Sequence, residues 1–78
     1  MLTGKKVLVI GLARSGKAAV KLLQKLNATI TINEGKELEK IEGYQAYLDA
    51  GIEIVAGGRP DELFERDFDF VVKNPGIN

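Results

Sequence analysis

Residues 5–16, KKVLVIGLARSG, decide the fold. Val7, Leu8, Val9 and Ile10 are consecutive apolar residues, and three of them are β-branched. A short continuous run of this kind fits a strand buried on both faces, as strands are in parallel sheets. Gly11 ends the run, and a second glycine follows at position 16. A strand that feeds a glycine turn and then a helix is the pattern of a phosphate-binding loop. The dinucleotide fingerprint G-x-G-x-x-G is incomplete, because Ala13 stands at its middle glycine and the bulky cation Arg14 follows. The order Ser15-Gly16-Lys17 also differs from the G-K-[ST] ending of an ATP-binding P-loop.

Outward from this stretch, strands and helices alternate. Residues 15–27, SGKAAVKLLQKLN, have helical spacing, with Ala18, Leu22 and Leu26 on one stripe and Ala19 and Leu23 beside it. Lys17, Lys21, Gln24 and Lys25 fall on the outer face. Ser15 suits an N-cap or first turn, and Asn27 suits a helix end in the left-handed conformation. Residues 28–33, ATITIN, predict a second strand. Leu38, Ile41, Tyr44, Tyr47 and Leu48 then keep helical spacing, with Gly43 as a weak point after which the helix can begin. Gly51 sits where a helix-terminating glycine belongs. Residues 52–57 predict a third strand, 61–65 at most a short helix, and 68–73 a fourth strand before the turn Asn74-Pro75-Gly76. The expected fold is α/β: a Rossmann-like open parallel sheet in order 3-2-1-4, with helices on both faces.

Seventy-eight residues allow one small domain. A chain of this length buries only about 60% of its unfolded surface. Ending one turn after a core strand, it reads as the truncated N-terminal piece of a longer protein. Lysine plus arginine equals aspartate plus glutamate at 11 each, so no basic balance suggests a nucleic-acid partner. The chain has no cysteine and no histidine, which excludes a disulfide framework, thiolate chemistry and the commonest general base. Its apolar runs are too short for a signal peptide or a membrane span, so a cytoplasmic protein without a membrane partner is expected. The oligomeric state is not legible.

Ligands of open parallel sheets bind beyond the carboxyl ends of the strands, where the strand order reverses. Three sequence-distant loops are expected to converge there. In the first, Gly11 allows the turn, Gly16 allows close helix packing, and the amides of Arg14, Ser15 and Gly16 open the helix toward an anion. The second carries Glu34, Gly35 and Lys36. An acid at this distance from the glycine loop commonly takes ribose hydroxyls, while Lys36 suits a phosphate or a base. The third is Asn74, Pro75 and Gly76, in which Asn74 offers a donor and an acceptor to a nucleobase edge. Tyr44 and Tyr47 fit helix packing, and Asp67 and Asp69 lie at the opposite end of the sheet.

The stretches KKVLVIGLARSGKAAVKLL, TINEGK and VVKNPGI together resemble the N-terminal domain of the Mur ligases, in order and spacing along the whole chain. The resemblance implies a longer three-domain enzyme whose first domain binds the UDP part of a muramoyl substrate, UDP-N-acetylmuramoyl-L-alanine, and not a dinucleotide. It implies ATP and magnesium (Mg2+) as cofactors held by later domains, and D-glutamate as the incoming amino acid. The reaction forms an acyl phosphate on the substrate carboxylate, which the amine then attacks with loss of phosphate. Carried onto this sequence, Gly11, Arg14, Ser15 and Gly16 fall near the diphosphate and uridine. Glu34, Gly35 and Lys36 fall near the uracil, with glutamate where aspartate is usual, and Asn74, Pro75 and Gly76 flank it. No cofactor and no catalytic or metal-binding residue is expected within these 78 residues. Two other readings remain: the nucleotide-binding half of an NAD(P) oxidoreductase, disfavoured by the missing glycine, and a non-enzymatic nucleotide-sensing domain.

Overall fold

The computed structural model describes residues 1–73. The order is β1 (Lys6–Ile10), α1 (Arg14–Lys25), β2 (Thr29–Glu34), a 3-10 turn (Leu38–Lys40), α2 (Tyr44–Asp49), β3 (Glu53–Ala56), a second 3-10 helix (Asp61–Glu65) and β4 (Phe70–Lys73). The four strands form one all-parallel sheet in the order β3-β2-β1-β4, as expected. β1 lies between β2 and β4, so the strand order reverses beside it and the crevice opens above its carboxyl end.

The continuous apolar run of β1 is explained by its two covers. Val7 and Val9 face a core that includes Val20 and Leu23 of α1 and Ile30 and Ile32 of β2. Leu8 and Ile10 face the other side, where Leu63 of the second 3-10 helix closes over them. Both α-helices therefore pack on one face, Tyr44 and Tyr47 of α2 included. The opposite face is covered by the second 3-10 helix, with Phe68 and Val55 beside it.

Helix α1 is rotated from the stripe that the sequence suggests. Gly16, Val20 and Leu23 are buried, while Ala18 is exposed and Leu22 is 58% exposed. The cause is Gly16. It packs against Gly11, and a β-carbon built on it would overlap the Gly11 carbonyl oxygen and stand 3.1 Å from the Gly11 carbonyl carbon. That contact fixes the helix phase at its first turn. The inward positions are then 16, 20 and 23, three and four residues apart.

Both helices end in the same way. Asn27 has φ 63°; its N–H donates to the Gln24 carbonyl, and the Ala28 N–H donates to the Leu23 carbonyl. Gly51 has φ 84°; its N–H donates to Leu48, and the Ile52 N–H donates to Tyr47. These are Schellman motifs, and they aim the chain straight into β2 and β3. The second helical segment is split. Leu38–Lys40 makes one 3-10 turn, Ile41 is extended, and Gly43 at φ 78° precedes α2. The left-handed glycine is why the helix starts only at Tyr44.

Candidate functional site

The glycine loop leaves β1 at Gly11, whose φ of 89° makes the turn. The Gly11 N–H still belongs to the sheet, donating to the Asn33 carbonyl at 2.8 Å. Ala13 is the N-cap of α1 and no side chain caps the helix, so Ser15 is a first-turn residue and not the cap. The Lys17 N–H donates to the Ala13 carbonyl at 3.0 Å. The amides of Arg14, Ser15 and Gly16 have no hydrogen-bond partner among the described residues. They form the open, positive end of a 12-residue helix with no acidic residue in its first turn. The Arg14 and Ser15 side chains are exposed beside them.

The second loop is joined to the first through Glu34, the last residue of β2. One carboxylate oxygen accepts the Leu12 N–H at 2.9 Å, and the other accepts the Lys36 N–H at 3.1 Å. The carboxylate of the residue marked for ribose or base contacts is thus bound by two backbone donors, one on each loop. Gly35 and Lys36 are exposed. Between the loops lies a depression of about 250 Å3. Leu12 and Ile41 give it an apolar part, and Lys17, Lys36 and Lys40 stand around it against Glu34 and Glu42. Lys17 pairs with Glu42 at 3.6 Å, and both side chains are well exposed, so the pair is weak. Lys36 and Lys40 form no ion pair among the described residues.

Seven of the ten candidate residues therefore gather at one end of the sheet: Gly11, Arg14, Ser15, Gly16, Glu34, Gly35 and Lys36. The third loop, Asn74, Pro75 and Gly76, lies outside the described residues. Asp69 is at the opposite end, as expected, where its carboxylate accepts the Lys6 N–H at 2.8 Å. That end also carries the Glu53–Arg66 pair. Arg66 holds the Glu53 carboxylate through two guanidinium bonds, and Thr31 donates to the same carboxylate at 3.0 Å. The Arg66 hydrogen bonds lower the Glu53 pKa; burial opposes them in part, and the Thr31 donation and the Arg66 charge add smaller lowering effects.

Sequence reasoning passed over Asn33, Gly57 and Arg59. Asn33 is 2% exposed, and its carboxamide binds the end of β3 and the turn after it. The signal was present: Asn33 is the one amide side chain in the run ATITIN, next to the loop.

No family model matches this chain. Comparison with curated proteins does find relatives. Over 73 residues the chain is 53% identical to UDP-N-acetylmuramoylalanine--D-glutamate ligase of Streptococcus sanguinis, which covers 94% of this chain and 16% of that protein. It is 53% identical over 76 residues to the ligase of the same name from Streptococcus thermophilus, covering 97% of this chain and 17% of that protein. The Streptococcus pyogenes ligase is 49% identical over 73 residues. The chain matches the N-terminal region of UDP-N-acetylmuramoylalanine--D-glutamate ligases. It spans about one sixth of the length of these curated relatives. The similarity runs through the glycine loop and the Glu34 loop alike, since it extends over nearly the whole chain. Among the described residues, no helix is long and apolar enough to cross a membrane.

Proposed function

We propose that this chain forms the nucleotide-binding part of a ligase that adds D-glutamate to UDP-N-acetylmuramoyl-L-alanine in peptidoglycan precursor synthesis. One observation carries the reading: three amides at the start of α1, without a hydrogen-bond partner among the described residues, lie between Leu12 and Lys17, which line a depression that is part apolar and part charged. Free amides and a helix dipole suit a diphosphate, and Arg14 and Ser15 supplement them. A depression lined by Leu12 and Ile41 beside Lys36 suits a pyrimidine. The family resemblance assigns Asn74, Pro75 and Gly76 to the uracil as well. ATP and Mg2+ would bind in later domains, as would D-glutamate, so the 78-residue chain binds without catalysing. A nucleotide-activated precursor fits a cytoplasmic site of action. The state of Glu34 weighs against the oxidoreductase reading, because a carboxylate already accepting two amides is less available to a ribose diol.

The test is an amide-shift titration of the labelled chain with UDP-N-acetylmuramoyl-L-alanine, with NADH and ATP as controls. Shifts at Ser15, Gly16, Gly35 and Lys36 with the UDP ligand alone are expected. Replacing Arg14 and Ser15 together by alanine should weaken them at least tenfold. Equal shifts with NADH, or a double variant that binds as well as the parent, would defeat the reading.

A further inference from the structure

Asn33 lies at the carboxyl end of β2, on the face opposite α1, in register with Ile10 of β1 and Val55 of β3. Its carboxamide nitrogen donates to the Val55 carbonyl at 3.0 Å and to the Gly58 carbonyl at 2.7 Å. Its oxygen accepts from Arg59 Nε at 3.3 Å. Both N–H donors and the carbonyl oxygen are thereby used, in a residue that is 2% exposed. All three partners belong to one stretch, 55–59, which is the end of β3 and the turn after it. A β2 side chain thus holds the turn that follows its neighbour.

That turn holds the second ligand loop in its own right. The Gly57 N–H donates to the Glu34 carbonyl at 3.0 Å and to the Lys36 carbonyl at 2.9 Å. The orientation of this amide depends on a φ of 83°, a conformation that glycine adopts without strain. The chain of bonds runs from the Asn33 carboxamide to Gly58 and Val55, through Gly57, to both ends of the segment Glu34–Lys36, and through Glu34 to Leu12 in the glycine loop. The Asn33 side chain sits on the opposite face of the sheet from this segment's pocket, and its carboxamide is linked to the segment through this chain of bonds.

We propose that Asn33 is a positioning residue for the nucleotide site, acting through Gly57 on the loop Glu34–Lys36; the proposal rests on the assignment of that loop to a UDP site. Polar placement and not filling is its role, because its carboxamide makes three hydrogen bonds to one turn and none to its own loop. A carboxylate in its place would face the Val55 and Gly58 carbonyls with no proton to donate.

The experiment compares the labelled parent chain with Asn33→Ala, Gly57→Ala and Glu53→Gln. Two quantities are read: amide hydrogen exchange residue by residue, and the affinity for UDP. Asn33→Ala is expected to speed exchange at Gly57 at least tenfold relative to Val9 and Ile32, and to weaken UDP at least fivefold. Gly57→Ala should weaken UDP by a similar factor with the carboxamide intact, and Asn33→Asp, of the same size but without the two N–H donors, carries the test if Asn33→Ala does not fold. Glu53→Gln cuts a polar link at the far end of the same sheet and should change neither reading. Unchanged exchange at Gly57 in Asn33→Ala overturns the proposal. So does a uniform speed-up across β1 and β2, which would mark a global loss of stability. A loosened loop with unaltered UDP affinity overturns it as well. If the parent chain ignores UDP, the nucleotide assignment fails and takes the ligand half of the proposal with it, while the exchange at Gly57 still decides whether Asn33 holds the loop.

Discussion

Replacing Gly16 by alanine is expected to destabilise the fold through one steric contact. The new methyl group would overlap the Gly11 carbonyl oxygen, which is main chain at a strand end and has little freedom to move. Relief requires α1 to retreat from β1 by roughly 1 Å, a gap that forfeits a quarter to a half of the dispersion attraction of the contacts it opens. Val20 and Leu23, the buried residues of the same helix, lose their fit against Val7 and Val9 as it moves. Overpacking of this kind costs about 1–3 kcal/mol. Alanine's better helix propensity, about 1 kcal/mol in a helix interior, offsets little of this, since position 16 is in the first turn. Stability in proteins is about 0.05–0.15 kcal/mol per residue, so a net loss of this size is a large share of the total for 78 residues. Each kcal/mol shifts the melting temperature of a domain this size by about 4–8 °C. A thermal melt followed by far-UV circular dichroism should therefore fall by roughly 5–20 °C. A variant melting within about 2 °C of the parent would refute the argument, because the contact would then be relieved without moving the helix.

Two other glycines separate steric space from backbone strain. Gly35 and Gly51 both have nothing within 4 Å of a built β-carbon, but only Gly51 has a left-handed φ, 84°. Gly51→Ala should cost about 1 kcal/mol and Gly35→Ala essentially nothing, as urea denaturation would report. A loss of UDP affinity in Gly35→Ala then reports a ligand contact and not a folding defect. The Glu53 pKa is lowered in the folded protein, chiefly by its bonds to Arg66. Its contribution is complete above the unfolded value, near the ordinary 4.5, and is lost as pH falls through the lower folded value. Melting temperatures measured from pH 6 down to pH 2 should fall less steeply for Glu53→Gln than for the parent, and parallel curves would contradict this. The effect is small because both side chains are about half exposed.

The sheet order was legible because it rests on local patterns that agree with one another. The unbroken run Val7–Ile10 marks a doubly covered central strand, and Asn27 and Gly51 mark the two helix ends. The helix phase was not legible from apolar periodicity. Ala18 and Leu22 form as good a stripe as Ala19, Val20 and Leu23, and only the contact of Gly16 with Gly11 chooses between them. That choice lies between backbones, where hydrophobicity carries no information. The site shows the same division. Residue types mark Gly11, Gly16 and Glu34, but the partners that set their geometry are main-chain groups of Leu12, Lys36 and Gly57. No side-chain pattern announces an amide or a carbonyl, so the links between loops become visible only in three dimensions.

Glu34 brings these points together in one substitution. Its carboxylate reaches from the end of β2 to Leu12 on one side and to Lys36, two residues on, on the other. Aspartate in its place shortens the reach by one carbon–carbon bond, about 1.5 Å. A shorter acid still accepts the N–H two residues ahead, because that is the ordinary Asx-turn geometry. It cannot also span to the glycine loop. Glu34→Asp should therefore keep the Lys36 bond and release the Leu12 amide, losing one charge-assisted hydrogen bond worth about 1.5–3 kcal/mol at most in this half-buried setting. Exchange at Leu12 should rise about tenfold or more, with Lys36 unchanged, since a tenfold change corresponds to about 1.4 kcal/mol. The two loops would then move independently, and a carboxylate freed of its second donor could accept an N–H from a ligand instead. Equal protection at Leu12 in the parent and in Glu34→Asp would show that the glycine loop holds its own shape, and that the glutamate's extra methylene is not what couples the two halves of the site.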